Sequence, residues 1–579
     1  MRKLALPLLM ALSMLATPAC KDADPNKFET YIEKIKSDEQ RGVALGQLEA
    51  LVKTVANSED KEVRDARTQE FVDKVLPVFE EVFESAQPVE RTQMLEMLRV
   101  IKRPEGANIW GQALVLDGSD EGRKQALLAL QGIINSKSTG TVDALVEQYS
   151  SLVENPSKDK GKREGEIRIE MAKALGELGD AKAVPALIAS LEKTKDHQPV
   201  AVHRQAAKSL GLIGDPSATD ALITVNFRVP DSPSTTDIGN RSKLALVGIG
   251  KPAVPRLIEM LQGKHEEVNQ LANENGVDLL IVQQTAAGIL GNMGAKDAIP
   301  ELLAFMPRDG CSDPDNPEAE PAKPKKKKKK KKGDDEEPAV DPAKASLRAF
   351  VARSLGLIGD AGASKALCSC VNATHNAGDM DEIIDAMGRI GDDVANACLL
   401  ETVKSGEYDP ETVVNSEFVH QPKWIAARWA VLASPPDKIG DVKAAFEIAG
   451  KQGKVQPELD KLQEAIKKTE ECGGDKDCWL KVVKDANADV VAREKAAYEL
   501  VRLAQGDLAV ALEVSKAFKV RDADARVTMA IMADRVANGE KCPECVQAFE
   551  DIMKGEKGSM DATMQLPVLT ARNTMAKLR

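Results

Sequence analysis

Aromatic residues are scarce in this 579-residue chain: 11 Phe, 4 Tyr and 4 Trp amount to 3 % of it. A surface that stacks on nucleic-acid bases or sugars needs exposed rings, so the shortage argues against both ligands. Trp110, Trp424, Trp429 and Trp479 read as packing residues. Five histidines are scattered, at 197, 203, 265, 375 and 420. No Walker loop, G-x-S-x-G or HExxH occurs, which removes the usual signatures of nucleotide binding, serine acyl transfer and zinc proteolysis. Excess positive charge is missing too: 79 Lys and Arg stand against 91 Asp and Glu, a net charge of −12. An acidic body is a poor general ligand for DNA or anionic lipid. The sequence therefore implies no enzyme, no cofactor, no metal, no nucleic acid and no evident small-molecule substrate.

What is present is repetition. Ala-Leu-Gly-Glu-Leu-Gly-Asp at 174–180 is followed by Ser-Leu-Gly-Leu-Ile-Gly-Asp at 209–215 and again at 354–360, with looser copies at 246–250, 290–294 and 387–392. The closing glycines are Gly179, Gly214, Gly250, Gly294, Gly359 and Gly391, giving steps of 35, 36, 44, 65 and 32 residues. Self-similarity at this period predicts stacked antiparallel helix pairs, an all-α solenoid. Within the motif, Ala172, Ala174 and Gly176 are small where one helix presses on the next. Gly179 suits a left-handed helix cap, Asp180 a capping acceptor for the next helix, and Pro185 a first helical turn. Arg168, Arg204 and Arg348 recur at one register and are expected to brace neighbouring repeats through turn carboxylates.

Residues 167–188 (Ile-Arg-Ile-Glu-Met-Ala-Lys-Ala-Leu-Gly-Glu-Leu-Gly-Asp-Ala-Lys-Ala-Val-Pro-Ala-Leu-Ile) resemble a HEAT repeat, and more narrowly the HEAT-like type named after phycobilisome lyases. The resemblance covers 167–403 well and 420–536 weakly. It implies an armadillo-like superhelix that binds proteins. Some HEAT-like hydroxylases carry repeated His-Glu pairs that hold iron; here only His265-Glu266 matches, so that activity is not expected.

The N-terminus carries Arg2 and Lys3, then a short apolar stretch from Leu4 to Ala16. A spanning helix needs ~20 apolar residues, so 1–19 reads as a signal peptide. Its end resembles the bacterial lipoprotein pattern, in which Cys20 becomes the lipidated first residue and 20–27 a tether; Thr17 stands where that family usually has Leu. The alternative is ordinary signal cleavage with Cys20 as a spare thiol. These features predict export, a lipid anchor, and a location on an outer membrane facing the periplasm or at the cell surface.

Between tether and C-terminus the expected order is degenerate helical repeats at 28–155, HEAT-like repeats at 156–306, a disordered Lys-rich insertion at 307–344, and repeats with a C-terminal cap at 345–579. A stripe of Val63, Phe71, Val72, Val75, Leu76, Phe79, Val82 and Phe83 marks the first region as helical. The insertion holds the run Lys325–Lys332, but ten Lys against nine Asp and Glu between 311 and 345 nearly neutralise it. At a ~35–40-residue period the chain would form about 14 helical pairs and a curved body on the order of 100 Å long.

Eight cysteines follow Cys20, an even number suited to disulfides in an exported protein. Cys472 and Cys478 bracket a tight turn. Cys542 and Cys545 form a C-x-x-C that reads as a structural disulfide, with thiol-redox chemistry as the alternative. Cys368 and Cys370, two apart on a helix, point to different faces, and one of them is placed to reach Cys398. Cys311 is left without a partner. The expected function is a non-catalytic protein-binding scaffold in the envelope; the alternatives are a thiol-redox factor at Cys542 and Cys545 and a binder of anionic envelope polymer at Lys325–Lys332.

Overall fold

The computed structural model describes residues 24–116, 118–155, 162–193, 198–228, 236–315, 342–371, 377–405, 422–451, 456–555 and 565–579. The signal peptide, Cys20 and Lys325–Lys332 lie outside the described residues. All elements among the described residues are α-helices joined by turns and short 3-10 segments. None of these helices is long and apolar enough to cross a membrane. The chain divides into two compact units, 1–149 and 150–579.

In the first unit alternate helices stack, Arg41–Ala56 on Pro88–Ile101 and Pro88–Ile101 on Asp120–Ser136. Aromatic edges organise the start of its core: the Phe28 and Phe71 rings lie 5.8 Å apart, and Phe71 and Phe79 5.7 Å. Pro77 splits the predicted apolar stripe into helices Lys61–Lys74 and Leu76–Val82, and Val63 turns out exposed. Two helices here end on left-handed lysines, Lys102 (φ 54°) and Lys137 (φ 50°).

In the second unit the repeat motif does what its residues suggest. Gly179, Gly214, Gly250, Gly294, Gly359 and Gly391 all have φ between 67° and 73°, a region glycine enters without steric cost. The carboxylates of Asp180, Asp215 and Asp360 accept the backbone N–H two residues on, at 2.9, 2.8 and 3.0 Å. One turn before each closure, a second glycine marks the closest approach of adjacent helices. A Cβ at Gly211 would stand 2.7 Å from Ala245 Cα, and one at Gly356 2.6 Å from Ala386 Cα. No real side chain tolerates such separations.

The recurrent arginine braces its neighbours through backbone carbonyls as well. Arg348 is wholly buried and donates to backbone carbonyls, Nε to Pro307 at 2.8 Å and Nη2 to Asp309 at 2.7 Å. Arg493 does the same to Val483 O, Nε at 3.3 Å and Nη2 at 3.2 Å. In the first unit Arg41 Nε donates to Ile35 O at 2.8 Å. In each case a cation meets the carbonyls left unpaired at or just past the end of the preceding helix.

The second unit also departs from the expected open, capped array. Eight of its helices make a closed circuit: Thr236–Ile249, Leu279–Met293, Pro342–Ile358, Ala377–Ile390, Pro422–Ala433, Val490–Leu503, Ala523–Ala537 and Gln565–Leu578 each pack on the next, and the last packs on the first. The helix ending at Leu578 is thus the closing wall of a ring. Its buried face is rich in small and polar residues (Thr570, Ala571, Asn573 and Thr574), which permits close contact on both sides.

Candidate functional site

The ring encloses two cavities. One, of about 330 Å³, lies toward the N-terminal ends of the ring helices; the other, of about 710 Å³, lies at the closing-glycine ends. Leu357, Tyr498 and Met532 line both and separate them. Walls that are not neighbours in the circuit also touch. Asn573 Nδ2 donates to Asn292 Oδ1 at 2.9 Å beside the Thr236–Ile249 helix, and Arg535 reaches across the ring to donate to the carbonyls of Gly356 and Arg389. A Cβ on Gly359 would collide with the Arg535 guanidinium, so the glycine there serves ring closure as well as the turn.

Charged side chains in the smaller cavity are paired, both across and within helices. Arg353 grips Glu382 in bidentate fashion, with Nε 3.0 Å from Oε2. Arg389 faces Asp385 at 3.6 Å, and Asp385 also accepts from Trp429 Nε1. Arg428 Nη2 meets both oxygens of buried Glu494, at 2.6 and 2.7 Å, and Thr528 adds a third bond at 2.7 Å. Burial pushes the Glu494 carboxyl pKa up, and Arg428 and Thr528 pull it part of the way back. Asp524, exposed at the cavity mouth, is also raised by desolvation against the ring walls, opposed by Arg428. The Tyr498 hydroxyl is buried without a hydrogen-bond partner, and burial pushes its pKa to about 12.

Where Ser434-Pro435-Pro436 replaces the glycine turn, two cations satisfy the helix end. Buried Lys495 donates to the carbonyls of Leu432 and Ser434 and pairs with Glu499 at 2.6 Å; Arg502 donates to Ala433 O. Burial lowers the Lys495 pKa to about 8, with Glu499 opposing and Arg502 reinforcing the shift. These groups are spent on backbone carbonyls and on one another, which is the chemistry of a stiff body rather than of a nucleophile or general base.

The cysteines fall into four bonded pairs: Cys311–Cys370, Cys368–Cys398, Cys472–Cys478 and Cys542–Cys545. Cys311 is therefore not alone. Ser312 N donates to Ser369 O at 2.9 Å, so the start of the insertion is pinned to the following repeat. Cys542 and Cys545 are both almost wholly buried, and Cys542 N donates to Leu578 O. His265 is a buried cap. Its Nδ1 accepts from Val268 N at 3.4 Å and its Nε2 faces Arg256 at 3.1 Å. Among the described residues no group of His, Cys, Asp and Glu is arranged to hold a metal.

Nothing in the sequence pointed to the ring's ion pairs. Only Asp385 and Arg389, four apart on a helix, carry a local signal; Arg428 and Glu494 are 66 residues apart.

Comparison with known proteins gives one family match: residues 160–227 fit the model of HEAT repeats. No curated protein matches. Among solved structures, human deoxyhypusine hydroxylase is similar at 17 % identity over 60 % of this chain and 97 % of its own, with a TM-score of 0.19. Importin beta is similar at 12 % identity over 94 % and 70 %, TM-score 0.30. A β-catenin structure, from work on its interaction with cadherin, is similar at 12 % identity over 91 % and 99 %, TM-score 0.24.

Proposed function

We propose that this chain is a non-catalytic scaffold of the bacterial cell envelope, exported by residues 1–19, anchored by lipid on Cys20, and holding one or more proteins on its helical array. The observation that carries the reading is the array itself. Stacked helix pairs present long rows of exposed turns, while the polar groups inside the ring are committed to ion pairs and helix-end carbonyls. Such a body offers surface rather than a reaction centre. The redox alternative loses support from the burial of Cys542 and Cys545, since thiol exchange requires in-line access to a sulfur.

Cross-linked affinity capture from the native envelope tests the scaffold. A reproducible protein partner, with cross-linked peptides mapping to exposed turns, is the expected result. Capture of nothing but thiol substrates trapped on Cys542 or Cys545 would replace this reading with the redox one. For the anchor, Cys20→Ala is expected to move the protein from the membrane to the soluble fraction; an unchanged distribution removes the lipid from the proposal.

A further inference from the structure

The ring's seam is where the Gln565–Leu578 helix meets the Thr236–Ile249 helix, with the Val200–Ile213 helix beside them. Three backbones converge there: a Cβ on Gly248 would stand 3.1 Å from Gly211 O and 3.7 Å from Ala576 O. Helix Pro543–Gly555 completes a cleft of about 420 Å³ beside this point. Its lining is unusual for so acidic a chain. Among the described residues five cations, Lys208, Arg241, Lys554, Arg572 and Arg579, share it with a single carboxylate side chain, Glu550.

That carboxylate is already committed twice, to Arg579 at 2.8 Å and to Lys554 at 3.6 Å. Among the described residues Lys208 and Arg572 have no ion-pair partner. The Lys208 pKa is lowered, chiefly by burial; Glu177 opposes the shift, and Arg241, Arg579 and Lys173 add to it. Leu212, Leu244, Val568 and Met575 give the cleft an apolar floor. Concave low-dielectric walls focus the field of these cations onto whatever enters.

We propose that this seam cleft is a binding site for a multiply charged phosphate-bearing anion, with the guanidinium groups of Arg572 and Arg579 and the ammonium of Lys208 facing the phosphate oxygens. Guanidinium forks suit phosphate, which takes bidentate hydrogen bonds, and the apolar floor suits an attached alkyl or ring portion. The source is either a soluble phosphate compound or the headgroup of a lipid. The proposal is independent of the scaffold reading, since it concerns a cleft and not the exposed turns.

The test uses the full mature chain carrying Cys20→Ala, titrated calorimetrically with inorganic pyrophosphate against sodium chloride of equal ionic strength. Saturable binding at one site is expected, weakened at least tenfold by Arg572→Ala and, separately, by Lys208→Met. Arg572 is exposed, so its variant keeps the fold, which circular dichroism confirms. Sedimentation with phosphatidylcholine vesicles, with or without phosphatidic acid, separates the sources. Binding that requires phosphatidic acid and is displaced by pyrophosphate assigns a headgroup; pyrophosphate binding with no vesicle binding assigns a soluble anion. Absence of saturable pyrophosphate binding, or binding equal in the parent and Arg572→Ala, overturns the site.

Discussion

Helix Pro88–Ile101 in the first unit and helix Val200–Ile213 in the second both end by placing one residue in the left-handed region, Lys102 in one and Gly214 in the other. An L-residue there carries a cost of about 1–2 kcal/mol that glycine escapes, offset in part by a cation near the helix's negative end. The packing differs in the same way. The second unit brings helices together through glycine against Cα. The first relies more on rings, with Phe28, Phe71 and Phe79 in edge contact and Trp110 seated where Gly132 leaves room. The same backbone device is therefore compatible with two side-chain solutions, and only one of them leaves a visible mark in the sequence.

The largest test of that contrast is redox. Residues 24–149 contain no cysteine, whereas all four cysteine pairs lie in the second unit. Cys311–Cys370 closes 59 residues, for which the chain-entropy account gives about 4 kcal/mol. Cys311→Ser is expected to lower protection in hydrogen exchange across 342–405 and to leave peptides from 24–149 unchanged. Equal loss in both units would mean that they do not respond separately.

Next come the contact glycines. Gly356→Val forces a branched side chain into the Ala386 backbone and is expected to cost about 3 kcal/mol in denaturant unfolding. Gly46, in the first unit's Arg41–Ala56 helix, has nothing within 4 Å of where a Cβ would stand. Gly46→Ala is expected to stabilise by about 0.5–1 kcal/mol. A loss at Gly46 would show that the first unit uses its helix glycines as the second does.

Exchanging the closures gives a smaller effect. Lys102→Gly and Lys137→Gly are each expected to gain about 1 kcal/mol, and Gly214→Lys to lose about as much, read as shifts in midpoint at constant slope.

The smallest effect concerns pH. His203 is buried, with its Nε2 2.7 Å from Lys193 O, and burial holds its pKa below the usual 6.5. The unfolded chain then binds the proton more readily, so the contribution is complete above pH 6.5 and is lost as the pH falls toward the folded value. The second unit is expected to lose stability on mild acidification, and His203→Gln to flatten that slope. The first unit's described residues have no histidine and no such slope.

These contrasts explain what could be read beforehand. The helices and glycine closures of 167–391 follow from local periodicity, because a cap and a close approach each dictate a residue type within a few positions. The first unit's closures were invisible, since lysine announces no left-handed turn. The ring was invisible for another reason: Asn292 and Asn573 are 281 positions apart, and no local pattern encodes such a meeting. Cys311 seemed unpaired because its surroundings are polar and aperiodic, although Ser312 and Arg348 tie the segment down. The five cations of the seam come from four helices spread over more than 370 residues, each unremarkable alone.

Closing the ring with residues 565–578 also sets a schedule. A chain made from its N-terminus completes every other wall before the last one exists. Until then the wall formed by Leu279–Met293, Pro342–Ile358 and Ala377–Ile390 faces solvent with Phe350 and its ion-paired neighbours uncovered. Pairings at such sequence separation form late and slowly, because the entropy of closing so long a loop comes before any reward. The nascent protein therefore passes through an open arc, adhesive along its inner edge, and a chain stopped before residue 565 would stay in that state.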